Sequence, residues 1–368
     1  MNPKVIAYYL PQFYPFKEND EWWGKGFTEW TNVGKAKPLF KGHQQPRVPA
    51  DLGYYDLRLP EVREQQAQLA REAGVTAFCY WHYWFGDGKR LLERVFDEVL
   101  ETGKPDFPFC LGWANHPWKA KTFGKDDSRD KVLMPQTYPG IEDAKMHFDF
   151  LLKAFQDPRY VKIEGKPFFL IFAPNELPQQ YVDCFLKWTV EAGFPGLYMV
   201  ANVYDVLKSK EFYLKKGYSA VVYNRLTSLF YSKYSQTNWL KKTYYRLQRV
   251  YRRFYLGMPA NSYDYQVIYK DLTSPQDQEL GVIPQIMPQW DHSPRSGMSA
   301  TLCYNCTPEA FYDYSKIVFD SIKNKPVEQQ IVMLKSWNEW GEGNYIEPDL
   351  LTGKGFLNAL RKAINDTK

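Results

Sequence analysis

The stretch KSWNEWGEGNYIEP, Lys335 to Pro348, sets two carboxylates, Glu339 and Glu342, three residues apart among tryptophans and glycines. Two acids in one pocket can divide the work at a glycosidic bond. One donates a proton to the leaving oxygen, and the other acts as base or nucleophile. Residues three apart on a continuous strand face opposite ways, so the pair converges only if the chain turns between them. Gly341 and Gly343 permit such a turn. Burial beside Trp337 and Trp340 would raise the donor's pKa. The plainer alternative is an acid that caps a helix or pairs with an arginine. Position weighs against it: the run IVML (331–334) reads as a buried strand, so the acids stand where a core strand ends.

That strand is the last of eight short apolar runs: 5–10, 75–81, 107–114, 167–173, 196–202, 220–225, 282–290 and 331–337. Most lack polar alternation, as expected of strands covered on both faces. Amphipathic stretches lie between them, such as 59–74 and 91–103, each ending on a glycine. The pattern predicts an α/β fold, a (β/α)8 TIM barrel, as a single catalytic domain over residues 1–368 with long βα loops. In such barrels the active site lies at the C-terminal ends of the strands. Those ends carry Tyr8, Tyr9 and Gln12; Trp81 and Tyr83; Asn115, His116 and Trp118; Trp290 and Asp291; and Asn338 and Trp340. Trp22, Trp23 and Trp30 lie in the long first loop. Aromatic faces stack on the C–H faces of sugar rings, so these residues are substrate-binding candidates beside the catalytic pair. For Trp30 the competing role is stapling its loop to the barrel. For Asp291 it is capping a helix.

Bulk composition narrows the field. Aromatic residues make up 17%, with 12 Trp and 28 Tyr, which suits sugar platforms or a thick aromatic core. Five cysteines, an odd count, argue against a secreted disulfide framework and for a cytoplasmic address. Cys303 and Cys306 form a lone CxxC without a second pair, so no metal site is expected. Neither a DxD metal motif in a suitable loop nor a glycine-rich phosphate cradle is present, and no cofactor is expected. The N-terminal apolar run is too short for a signal peptide or a membrane span. A net charge of +5 does not call for nucleic acid. It is unevenly spread, however: residues 226–263 contain seven basic residues, Lys233 among them, and no acidic one. Leu240, Tyr244, Leu247, Tyr251 and Phe254 follow helical spacing, with Lys242, Arg246, Arg249 and Arg253 on a second stripe. This reads as a basic aromatic helical insertion. It could rest through 240–254 on an anionic membrane, bind a sugar diphosphate, or pack on the barrel with a solvated basic face.

The blocks GFTEWTNV (26–33), YWHYWFGDGKRLLE (80–93), DFPFCLGWANHPW (106–118), DPRYVKIEGKPFFLIF (157–172) and SWNEWGEGNYIEP (336–348) resemble the WbsX-like family of polysaccharide gene clusters. That family is similar in turn to the glycoside hydrolase 99 barrels, the endo-α-mannosidases and endo-mannanases. The resemblance implies that Glu339 removes the proton from the sugar 2-OH, so that O2 attacks C1 and forms a 1,2-anhydro sugar. Glu342 would protonate the leaving oxygen and then activate water or another acceptor, with retention. Two positions depart from the family's pattern: His116 follows Asn115 where an acid is usual, and QWDH (289–292) stands where GWDN is commoner. The implied function is a carbohydrate-active enzyme of bacterial cell-surface polysaccharide (O-antigen, lipopolysaccharide or capsule) biosynthesis, acting on an α-mannoside-like bond. The alternatives are a glycosyltransferase adding a sugar to a lipid-linked repeat, and a non-catalytic glycan-binding barrel. The expected partner is an oligosaccharide or polysaccharide. The expected address is the cytoplasm, with peripheral contact at the inner membrane.

Overall fold

The computed structural model describes residues 3–120, 131–204, 209–227 and 239–367. All eight apolar runs contribute strands: β1 (Lys4–Tyr9), β2 (Ala77–Trp84), β3 (Phe109–Trp113), β4 (Lys166–Ile171), β5 (Tyr198–Val203), β6 (Ala220–Tyr223), β7 (Gln285–Ile286) and β8 (Ile331–Leu334). They pair in parallel in the order β6-β5-β4-β3-β2-β1-β8-β7. The ring closes through a parallel bridge between Val221 and Val282. Across it Val221 N donates to Gly281 O, and Ile283 N donates to Val221 O, both at 2.8 Å. The result is a nearly closed (β/α)8 barrel.

The strands are mostly apolar because helices cover the sheet's outer face while side chains fill its inside. Strand β5 is buried at every residue. The stretches 59–74 and 91–103 form the helices Pro60–Ala73 and Glu93–Thr102, each stopping just before its glycine. Two runs are cut short as strands for a visible reason. In 282–290, Pro284 and Pro288 have no N–H to give a sheet ladder, which leaves Gln285 and Ile286 as β7. In 331–337 the chain leaves the barrel after Leu334, and Asn338–Glu339 pairs instead with Asn344–Tyr345 in a small antiparallel hairpin.

The long connections gather at the C-terminal ends of the strands. The one after β1 carries two short helices, Lys17–Trp23 and Glu29–Lys35, and the one after β7 carries Ser293–Ser296. Residues 239–263 of the basic insertion hold the helix Trp239–Phe254. Lys233 lies outside the described residues.

Candidate active site

A cavity of about 490 Å³ opens at this end of the barrel, a size suited to a small part of a glycan chain. Glu339 and Glu342 both line it. The hairpin that begins at Asn338 lifts Glu339 off the end of β8, and the helical turn Trp340–Glu342 brings the second acid round to the same side. Both glycines are required, for different reasons. Gly343 ends the turn in the left-handed region (φ +54°), with the backbone of Asp291 where a Cβ would stand. At Gly341 a Cβ would lie 2.0 Å from a carboxylate oxygen of Glu29, so only glycine admits that third acid.

Glu29 and Glu342 share one cation. Arg295 Nη1 donates to Glu342 Oε1 at 2.6 Å, while its Nε and Nη2 reach Glu29 at 3.2 and 3.0 Å. Glu339 stands outside this clamp and accepts from Trp81 Nε1 at 3.0 Å. The two catalytic candidates therefore differ in protonation. Burial and the negative charge of Glu342 push Glu339 up to about 8, against the opposing pull of Arg295, Lys335 and Trp81. Burial also opposes ionisation of Glu342, yet Arg295, His292, Lys335 and a hydrogen bond with Glu339 hold it below the ordinary range. The free site thus holds a neutral and an ionised carboxyl side by side, joined by a hydrogen bond.

Of the aromatic and polar candidates, Tyr8, Gln12, Trp23, Trp81, Tyr83, His116, Trp118 and Trp290 line the cavity, while Trp22 packs edge-on against Trp118. Tyr8 and Trp81 stack with centroids 4.9 Å apart, and the Lys335 ammonium lies 4.6 Å from the Trp290 ring. Burial holds the pKa values of His116 and His292 below the ordinary imidazole range.

Six other candidates face away from it. Tyr9 alternates with Tyr8 and points to the other side of the sheet, where its hydroxyl donates to Gln66 at 2.6 Å. Trp30 staples its loop, donating to Tyr55 O at 2.7 Å and packing against Phe13 and Trp340. Asn115 ties β3 to the end of β4 by two bonds with the backbone of Ala173. Asn338 bonds both N and O of Leu10, fastening the hairpin to the end of β1. Trp340 stacks on Tyr345 and donates to Glu347 at 2.7 Å. Asp291 caps the Ser293 amide at 2.9 Å and holds the first loop through Gln45 (2.6 Å) and His43 (2.9 Å).

Several cavity residues were not expected: Glu29, Arg295 and Lys335 carry charge, and Phe172, Asn202, Tyr204, Asn224 and Gln285 add polar and aromatic surface. For Glu29 and Arg295 the signals were faint, an acid inside a tryptophan-rich loop and an arginine after β7. Glu347 lies behind the turn. Burial pushes its carboxyl up to about 7, opposed by hydrogen bonds from Trp340, Gln66 and Tyr55. Among the described residues no group of three or more His, Cys, Asp or Glu side chains is placed to hold a metal ion, at Cys303 and Cys306 or elsewhere.

The fold recurs in solved structures. The glycoside hydrolase 99 endo-α-mannosidase of Bacteroides thetaiotaomicron aligns with a TM-score of 0.57 at 13% identity, covering 99% of this chain and 97% of the enzyme. A glycoside hydrolase-like protein aligns with a TM-score of 0.55 at 14% identity, over 99% and 94%. In sequence, the protein WxcX of Xanthomonas campestris pv. campestris strain B100, itself uncharacterised, is 32% identical over 364 residues, 98% of this chain and 49% of its own length. WxcX of strain ATCC 33913 matches at the same identity and coverage. The chain thus spans about half the length of these relatives. The profile of the family described as Glycosyltransferase WbsX matches residues 5–360, and over that nearly complete span the chain belongs to the WbsX glycosyltransferase family.

Proposed function

We infer that the protein is a carbohydrate-active enzyme of polysaccharide biosynthesis, and that its cavity processes an α-mannoside-like glycosidic bond with retention of configuration. One observation carries the reading: two carboxyls face one aromatic cavity, with Glu339 pushed up by burial and Glu342 held down by Arg295. In the route implied by the family likeness, Glu339 accepts the proton of the sugar 2-OH as O2 forms a bond to C1. The C1–O bond to the leaving group breaks, and Glu342 gives its proton to the departing oxygen. An acceptor hydroxyl or water, deprotonated by Glu342, then opens the 1,2-anhydro ring at C1, and O2 recovers its proton from Glu339. Two inversions give retention. In the free site the proton rests on Glu339, whereas this route begins with it on Glu342. Both arrangements have the same net charge, so pH does not change their ratio, and the proton can move along the hydrogen bond between them.

Hydrolysis and transfer share the chemistry at C1 and differ in the acceptor. The family's description and the cavity cations Arg295 and Lys335 favour a second reading, transfer of a sugar from a nucleotide donor to a lipid-linked repeat. Incubation with α-mannoside oligosaccharides, the product anomer being read by NMR, separates the two. Retained product, lost by about a thousandfold in Glu342→Gln, supports glycoside chemistry. No cleavage, with transfer once a nucleotide sugar is added, establishes the second reading instead.

A further inference from the structure

The helix Trp239–Phe254 lies beside the mouth of the cavity. It follows β6 in the sequence, where Asn224 and Thr227 line the cavity, and near its end Arg253 donates to Met298 O, three residues past Arg295. It turns the wrong face outward for a helix packed on a barrel. Leu240, Tyr244, Leu247, Val250, Tyr251 and Phe254 form one continuous stripe and are 48–78% exposed. Tyr245, Gln248 and Arg252, on another side, are half-buried. At 3.6 residues per turn the stripe fills about a third of the helix circumference, and Lys242, Arg246 and Arg249 follow on a second stripe beyond one of its edges.

We propose that this helix docks the protein on an anionic lipid bilayer. It lies in the plane of the headgroups with the stripe in the acyl boundary and the basic side chains on lipid phosphates. Sixteen residues give a rod of about 24 Å, too short to span a bilayer and long enough to lie along one. Charge selects the occupant. No Asp or Glu occurs from residue 226 to 263, so a second copy meeting this face would oppose like charges, whereas phosphates neutralise them. Docked in this way, the cavity mouth sits at the lipid surface. The inference does not depend on which reaction the site performs.

Flotation of the full chain with vesicles tests it. Wild type should rise with vesicles of phosphatidylglycerol and phosphatidylcholine, stay behind with phosphatidylcholine alone, and be released by salt. Lys242→Glu with Arg246→Glu should lower the partition coefficient on the order of a hundredfold. Leu247→Glu with Phe254→Glu should abolish binding at an unchanged melting temperature, because both side chains are exposed. Equal binding to neutral vesicles, no binding to anionic ones, or unaltered flotation of the apolar variant overturns the proposal. So does a lipid-free dimer that the apolar variant converts to monomer, since a second copy would then cover the face.

Discussion

Arg295 separates the roles of the two glutamates. It contacts Glu342 directly and reaches Glu339 only through space, so replacing it with methionine removes the stronger stabilisation from the Glu342 carboxylate. Both carboxyls should then titrate higher, with the larger change at Glu342. The acid limb of kcat/KM against pH, set by Glu342, should move up further than the alkaline limb near pH 8 set by Glu339. An acid limb unmoved in Arg295→Met would mean that the clamp does not govern Glu342. Glu339 also carries a stability cost of predictable sign. Its pKa is raised on folding, so the folded state holds a proton that the unfolded chain has lost. Stability therefore falls as pH rises from about 4.5 to about 8. Glu339→Gln keeps an acceptor for Trp81 and removes that dependence. The variant should be more stable than wild type at pH 8 by on the order of 1–3 kcal/mol, with the gain vanishing toward pH 4.5. Thermal melts across that range would read it, and a gain independent of pH would contradict the cause assigned to the shift.

The elements that deliver these residues were legible in the sequence to different degrees. The eight apolar runs became eight strands because strands covered on both faces leave a dense, local signature. The catalytic candidates were legible for the same reason, since Glu339 and Glu342 are neighbours in one turn. The clamp was not, because Arg295 and Glu29 are 266 positions apart and meet only when the loops after β1 and β7 cross the same end of the barrel. Period-two alternation could have separated Tyr8, which lines the cavity, from Tyr9, which does not. Nothing local distinguishes Trp30 and Trp340, which brace each other, from Trp81 and Trp118, which face the cavity. Gly341 is where this non-local demand can be read at a single position. Alanine there meets Glu29 at 2.0 Å and Arg295 Nε at 2.9 Å and so displaces the guanidinium from Glu342 as well, so Gly341→Ala should destabilise the fold by about 1–3 kcal/mol and move the acid limb in the same direction as Arg295→Met. A variant with wild-type stability and pH profile would show that the turn can yield without loosening the clamp.

Across the whole molecule, the barrel is unevenly closed. Strands β1 to β6 and β8 join through continuous parallel ladders, whereas among the described residues β6 meets the chain leading into β7 at a single bridge, Val221 to Val282. Prolines on both sides of β7 prevent a longer ladder. The cavity straddles this seam, with Asn224 just past β6 on one side and Gln285 of β7 on the other. Local opening should begin where the fewest hydrogen bonds must break. The amides of Val221 and Ile283, bonded across the seam, should therefore exchange with deuterium before those of β1 and β2. A glycan that contacts both sides binds only the closed seam, and it slows that exchange in proportion to its saturation. Hydrogen exchange followed by mass spectrometry, with and without an oligosaccharide, tests the coupling. Protection at the β6–β7 seam on binding would show that the substrate completes the closure of the barrel, and exchange there that ignores the ligand would show that the glycan lies on one side of the cavity only.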